Sequence, residues 1–281
     1  MSAPPTPLHP GPNQEVRDLP HSQLAADDLD LNPGLEDDLD DDDISIHPPS
    51  TVKEENHNGD DQVNVEVSSW TLPFEDAIGA EILKLQKNAH PSVSSGQQSK
   101  LIAYLDHELL QVQRKFVKNQ AETRKEYHLQ QLLQDVAQIL DVLWVSISPE
   151  YSLFGQEEYF IKILGDLEDW IEWYAFDTDG GDRNRDLFLF ELFTFFQKVD
   201  VRVSLLIDGV SSKDGSKFDR TQLVRLFPIA NRLRLTIVSK LRPLRDELAR
   251  QRDLANKAAD ISLNIIDVEV GRLFEGTLDR S

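Results

Sequence analysis

The 281-residue chain contains no cysteine. That absence excludes disulfides, thiolate zinc sites, iron–sulfur clusters and cysteine nucleophiles, and it fits a reducing compartment. No apolar run approaches the ~20 residues that a membrane-spanning helix needs. The first ten residues, MSAPPTPLHP, lack the basic and apolar regions of a secretory signal. Positive charge is also scarce, with 29 Lys and Arg against 50 Asp and Glu and a formal charge of −21. A chain so acidic is not built as a general nucleic-acid or anionic-membrane binder, since both need a positive footprint. The expectation is a soluble, intracellular protein.

What is present is unevenly distributed. Residues 1–68 carry 17 acids, two bases (Arg17 and Lys53) and nine of the 14 prolines, and no aromatic residue. All 22 aromatics lie at or beyond Trp70. A segment with that much charge and nothing large to bury cannot offset about 1–2 kcal/mol per residue of backbone ordering entropy. Residues 1–68 therefore read as a disordered acidic, proline-rich tail. Residues 69–98 read as a short helix plus a flexible linker, and residues 99–281 as a helical domain.

Helical periodicity dominates from residue 72 onward. Phe74, Ile78, Ile82 and Leu85 form a short stripe over 72–87, and the composition of 89–98 is that of a linker. Ile102, Leu105, Leu109, Val112 and Phe116 recur at spacings of three and four, and the polar continuation KNQAETRKEYH reads as solvated on at least one turn. A third stripe runs from Leu129 to Ile147 and ends before Pro149. A fourth runs through Phe160, Ile163, Leu167, Trp170 and Tyr174 to the loop DTDGGD.

The segment 187–208 is the most apolar. Its valines alternate as in a strand, but Glu191, Thr194, Lys198 and Arg202 fall on one narrow polar stripe, which predicts a central helix with a wet edge, terminated at Gly209. Asp219 and Gln222 have capping-box spacing before a long helix from Leu223 to Leu248. Pro228 should kink it, and Pro243 should kink or break it. A last segment spans 253–276. The fold class is all-α, a bundle of about six helices behind the acidic tail.

Signatures of chemistry are missing. Only His107 and His128 fall on predicted helices, neither at a metal-ligand spacing, so both read as surface residues. The loop DTDGGDRNRD fails the calcium-loop pattern, because Asp182 and Phe188 stand where Gly and Glu are required. GVSSKDGSK has five residues between its glycines and Ser216 before Lys217, so it departs from the phosphate-loop pattern. No catalytic residue, cofactor or metal is expected, and the chain does not read as an enzyme.

Several features could carry binding. Between Arg220 and Arg252 lie nine bases and only two acids, Asp246 and Glu247. Arg220, Arg225, Arg232, Arg234, Lys240, Arg242 and Arg245 are candidate partner-binding residues. They could meet an acidic partner, a nucleic-acid backbone or the acidic tail, or could simply pair with neighbouring helices. Trp173 falls off the apolar stripe of its helix and is a candidate interface anchor, or lies partly buried under the adjacent loop. In the tail, acids alternate with Leu24, Leu29, Leu31, Leu35, Leu39 and Ile44, a pattern able to bind transcription machinery or merely to solubilise. Val52, Lys53, Glu54 and Glu55 match the short consensus for SUMO attachment at Lys53, which fits a nuclear protein.

Three patches taken together carry a resemblance. KLIAYLDHELLQVQRKFVK at 100–118, ILDVLWVSISPEYSLFGQEEYFIKILGDLEDWI at 139–171, and LFELFTFFQKVDVRVSLLIDG with RLFPIANRLRLTIVSKL resemble the fungal accessory subunit of general transcription factor TFIIH. The resemblance covers roughly 100–245 and brings no functional residue set with it. It implies a non-enzymatic nuclear regulator whose partner is TFIIH, in particular its XPB-class helicase or translocase subunit, and whose action is to favour release of that subunit after initiation. A helical scaffold or adaptor unrelated to transcription, with the tail as an electrostatic bristle, is the alternative. Membrane association is not expected, and direct nucleic-acid binding through the basic helix is the least favoured reading.

Overall fold

The computed structural model describes residues 69–87, 93–124, 126–176, 181–210, 217–254 and 256–281. All of them belong to the unit His47–Ser281. The 1–68 tail, Lys53, linker residues 88–92 and most of both glycine-rich loops fall outside the described residues. Within those bounds the chain is all-α, with seven helices and a final single turn: α1 Phe74–Lys87, α2 Ser95–Ala121, α3 Leu129–Val145, α4 Gln156–Trp173, α5 Asp182–Asp208, α6 Arg220–Asp253, α7 Lys257–Arg272 and α8 Glu275–Leu278.

The starts of the helices are set by local chemistry. Ser94 caps α2 by accepting from the Gln97 N–H while the Gln97 side chain accepts from the Ser94 N–H. This reciprocal cap starts α2 inside the stretch 89–98 whose composition reads as a linker, so residues 95–98 are helical. Asp219 and Gln222 form the same box on α6 at 2.7 and 2.8 Å. Asn256 caps α7. At the other end of α5, Gly209 adopts φ 97°, a conformation that a side chain would disfavour, and stops the helix.

Helix α5 is the most deeply buried of the helices. Leu189, Leu192, Phe196, Val203 and Leu206 are fully buried, and α1, α3, α7 and α8 pack around it. The polar edge expected there is only partly wet. Thr194 is exposed, but Arg202 is buried, because carboxylates on α1 and α3 meet it inside the bundle.

Helix α6 buries the ladder Leu226, Ala230, Leu233, Ile237, Leu241 and Leu248 between α4 and α7. It runs unbroken for 34 residues through both prolines. Pro228 and Pro243 each face solvent, and the buried ladder outweighs the ~3 kcal/mol that an interior proline costs. The expectation that Pro243 could end the helix is thereby corrected.

Candidate partner-binding surface

The basic run lies on α6 between two acidic neighbours. Toward α4, Arg225 donates to Glu158 at 2.9 Å, and Arg232 forms a bidentate pair with Glu168 at 2.6 and 3.0 Å. Lys240 donates to the Glu172 carbonyl. Toward α7, Arg245 pairs with Asp267, and Arg234 reaches the Gly271 carbonyl at 3.4 Å. Arg250 pairs with Glu247 on α6 itself. The Glu158 carboxyl is held below its ordinary range by the Gln222 side-chain amide and then by Arg225. Arg220 and Arg242 are exposed and make no hydrogen bond or ion pair among the described residues. Three of the nine bases of this stretch are therefore counter-charges for carboxylates of α4 and α7, and Arg220 and Arg242 are left over.

Trp173 is half-buried. Its ring meets Phe116 edge-on at 5.5 Å and Tyr174 at 4.9 Å, so α2 and α4 hold it as part of an aromatic cluster. His107 and His128 are both exposed. Within the polar continuation of α2, Gln120, Ala121, Thr123 and Arg124 are exposed and one residue turns inward. Asn119 is buried and clasps the α2–α3 loop, accepting from the Glu126 and Tyr127 N–H groups and donating to the Tyr127 carbonyl at 2.8 Å. The Tyr174 hydroxyl donates to the same carbonyl, and burial pushes that hydroxyl up to about 12.

The strongest electrostatics are buried, and they include Arg202 of the stripe that was expected to be wet. Arg202 on α5 meets Glu81 of α1 at 3.0 Å, Asp141 of α3 at 2.8 Å and the Leu140 carbonyl at 3.1 Å. Its guanidinium lies over the Trp144 ring at 5.4 Å. Burial alone would raise the Asp141 carboxyl, but Lys198 and Arg202 together hold it down.

Glu269 of α7, 1 % exposed, accepts from the Trp70 N–H at 2.6 Å, the Thr71 N–H at 2.8 Å and the Thr71 hydroxyl at 2.6 Å. This fixes the strap that leads into α1. Asp200 of α5 accepts from the Gly276 N–H and from the Thr277 N–H and hydroxyl at 2.6–3.0 Å, closing α8 onto the core. Desolvation raises the Asp200 carboxyl despite those bonds. The sequence carried a faint signal for both: Asp200 interrupts the apolar run VDVRV, and Glu269 interrupts IIDVEVGRL.

These features define a class: an all-α bundle whose buried polar groups tie its own elements together and whose candidate recognition residues lie on its exterior. Residues 127–280 match a family described as subunit 11 of the general transcription factor TFIIH, and the chain belongs to that family. It is 32 % identical over 221 residues to the general transcription and DNA repair factor IIH subunit TFB6 of Saccharomyces cerevisiae, an alignment covering 63 % of this chain and 64 % of that relative. The chain thus spans less than two thirds of that relative's length. No solved structure matches it.

Proposed function

We propose that the protein is a non-enzymatic subunit of TFIIH that acts in the nucleus, binds the complex's XPB-class translocase subunit, and favours that subunit's release after initiation. The observation that carries this reading is the family match over 127–280, which begins at the α2–α3 loop and takes in α3 through α8, including the Asp200 clasp and the basic helix. Release follows from differential affinity: a protein that binds free translocase more tightly than the assembled form shifts the equilibrium toward the free pair. The pairing of Arg225, Arg232 and Arg245 with acids of α4 and α7 supports contact with protein in preference to DNA, because those cations are already committed.

The test is a reconstitution. Purified TFIIH is incubated with excess full-length protein, and translocase remaining on the complex is measured by sedimentation. Depletion of the translocase alone, with the two proteins migrating together, is the expected result. Retention of the translocase at saturating protein would overturn the reading.

A further inference from the structure

Helix α1 is held to the bundle more by charge than by apolar burial. Only Ala77, Glu81 and Leu85 of its residues are buried, and one of those three is an acid. It packs chiefly on α5. The strap before it is gripped through its backbone by side chains of α5 and α7. Glu269 accepts from the Trp70 and Thr71 N–H groups, Arg272 donates to the Thr71 carbonyl at 3.0 Å, and the Gln197 amide donates to the Leu72 carbonyl. The Trp70 ring lies against Phe193, with centroids 6.2 Å apart. Farther along, Glu81 meets Arg202 at 3.0 Å. Side chains that hold a backbone, a place for a ring and a fixed cation are the parts of a peptide-binding cleft. Here the same chain fills it.

The contact is also built to separate. Arg202 keeps Asp141 at 2.8 Å and the Leu140 carbonyl at 3.1 Å when Glu81 leaves. Glu81 keeps Lys84 of its own helix at 3.0 Å. Arg280, which lies over the Phe74 ring at 5.6 Å, keeps Asp208 at 2.7 Å. Opening therefore leaves none of these charges without a partner, the condition that makes breaking a buried pair costly. Glu269 is the latch. Among the described residues all of its hydrogen bonds come from Trp70 and Thr71, and water replaces them when the strap leaves.

We infer that residues 70–85 are a detachable ligand in cis: the strap and α1 leave the bundle as one unit while α2 to α8 stay folded, and the cleft on α5 and α7 binds the same segment supplied as a separate peptide. Elements with few buried apolar contacts open below the free energy of global unfolding. A helix as short as α1 is marginal alone in water, so detachment exposes its amides together. This device stands whether or not the translocase is the partner.

The test follows amide exchange of the full chain by mass spectrometry, with and without a synthetic peptide of residues 69–87. In the chain alone, the amides of α1 should exchange together and faster than those of α3, α4 and α6. Glu81→Ala removes one side of the Arg202 contact and leaves Asp141 on the other. It should speed exchange in α1 roughly tenfold and leave the other helices unchanged. The peptide should bind Glu81→Ala saturably and wild type more weakly, because a tethered strap competes at about millimolar effective concentration. Adding Glu269→Ala should abolish that binding. Exchange of α1 only at the rate of α5, or equal acceleration of every helix by Glu81→Ala, would overturn the inference. So would a Glu81→Ala chain whose α1 opens but which ignores the peptide, or takes up a scrambled one equally well.

Discussion

Two arginines in this molecule meet carboxylates in very different surroundings. Arg232 on α6 grips Glu168 of α4 in a bidentate pair with its side chain 54 % exposed, whereas Arg202 on α5 meets Glu81 with both side chains 6 % exposed. Water screens the first pair and holds it at little net gain. The second has lost its water and depends on its partners. The lesson concerns where charge is structural. A sequence search for cationic density points to α6, but the cations on which the fold depends most are single residues inside apolar runs.

The largest expected effect breaks the buried side of that contrast. Arg202→Ala leaves buried Glu81 with only the exposed Lys84 as its counter-ion and should cost about 3 kcal/mol by urea denaturation. Arg232→Ala should leave the urea midpoint unchanged. Equal losses from the two would contradict the contrast.

Next in size is the strap. Glu269→Ala orphans the Trp70 and Thr71 N–H groups, at about 1–3 kcal/mol for each buried donor. Glu269→Gln retains an acceptor for both and should be milder. Hydrogen exchange at Trp70 and Thr71 separates the two variants, because only the alanine should expose those amides.

Gly276 sharpens the account at α8. A methyl group there would lie 2.1 Å from the Phe74 ring and 2.7 Å from the Ser204 Oγ. Gly276→Ala should therefore cost about 1–3 kcal/mol through overpacking, read as a lowered thermal midpoint.

The smallest effect is in pH. Asp141 and Glu158 sit below their ordinary values, so their contribution is complete above about 4.5 and is lost as pH falls through their native values. Asp200 is displaced the other way, so its contribution is greatest at low pH and is lost as pH rises from about 3.8 through its raised native value. Asp200→Asn should flatten that decline in an acid-to-neutral series of denaturation curves, whatever its effect on stability at neutral pH. An unchanged slope would mean that Asp200 is not displaced.

The helices were legible because spacing of three and four survives in the sequence wherever one face is buried. Leu129 to Ile147 and Leu223 to Leu248 both stand out in this way. The Asp219–Gln222 cap was legible for a similar reason, since both of its partners lie within one turn. The Ser94–Gln97 cap has the same spacing, but glycine and serine around it masked the start of α2. What composition could not convey was pairing across the chain. Glu269 meets Thr71 and Arg202 meets Glu81 only after folding, so each polar residue could be noticed inside its apolar run while its partner could not. Pro243 as a possible helix end misled for the same reason: its cost is local, and the packing that offsets it is not. For the recognition surface, the sequence singled out the cations but not which of them α4 and α7 already engage.

The central claim, that this bundle works as a TFIIH subunit through its translocase, is tested most directly by purifying the full chain from its own cells at moderate salt and quantifying what elutes with it. The account predicts TFIIH subunits, with the translocase in excess over the others. A preparation in which the translocase is absent, or is no more abundant than the remaining subunits, would contradict it.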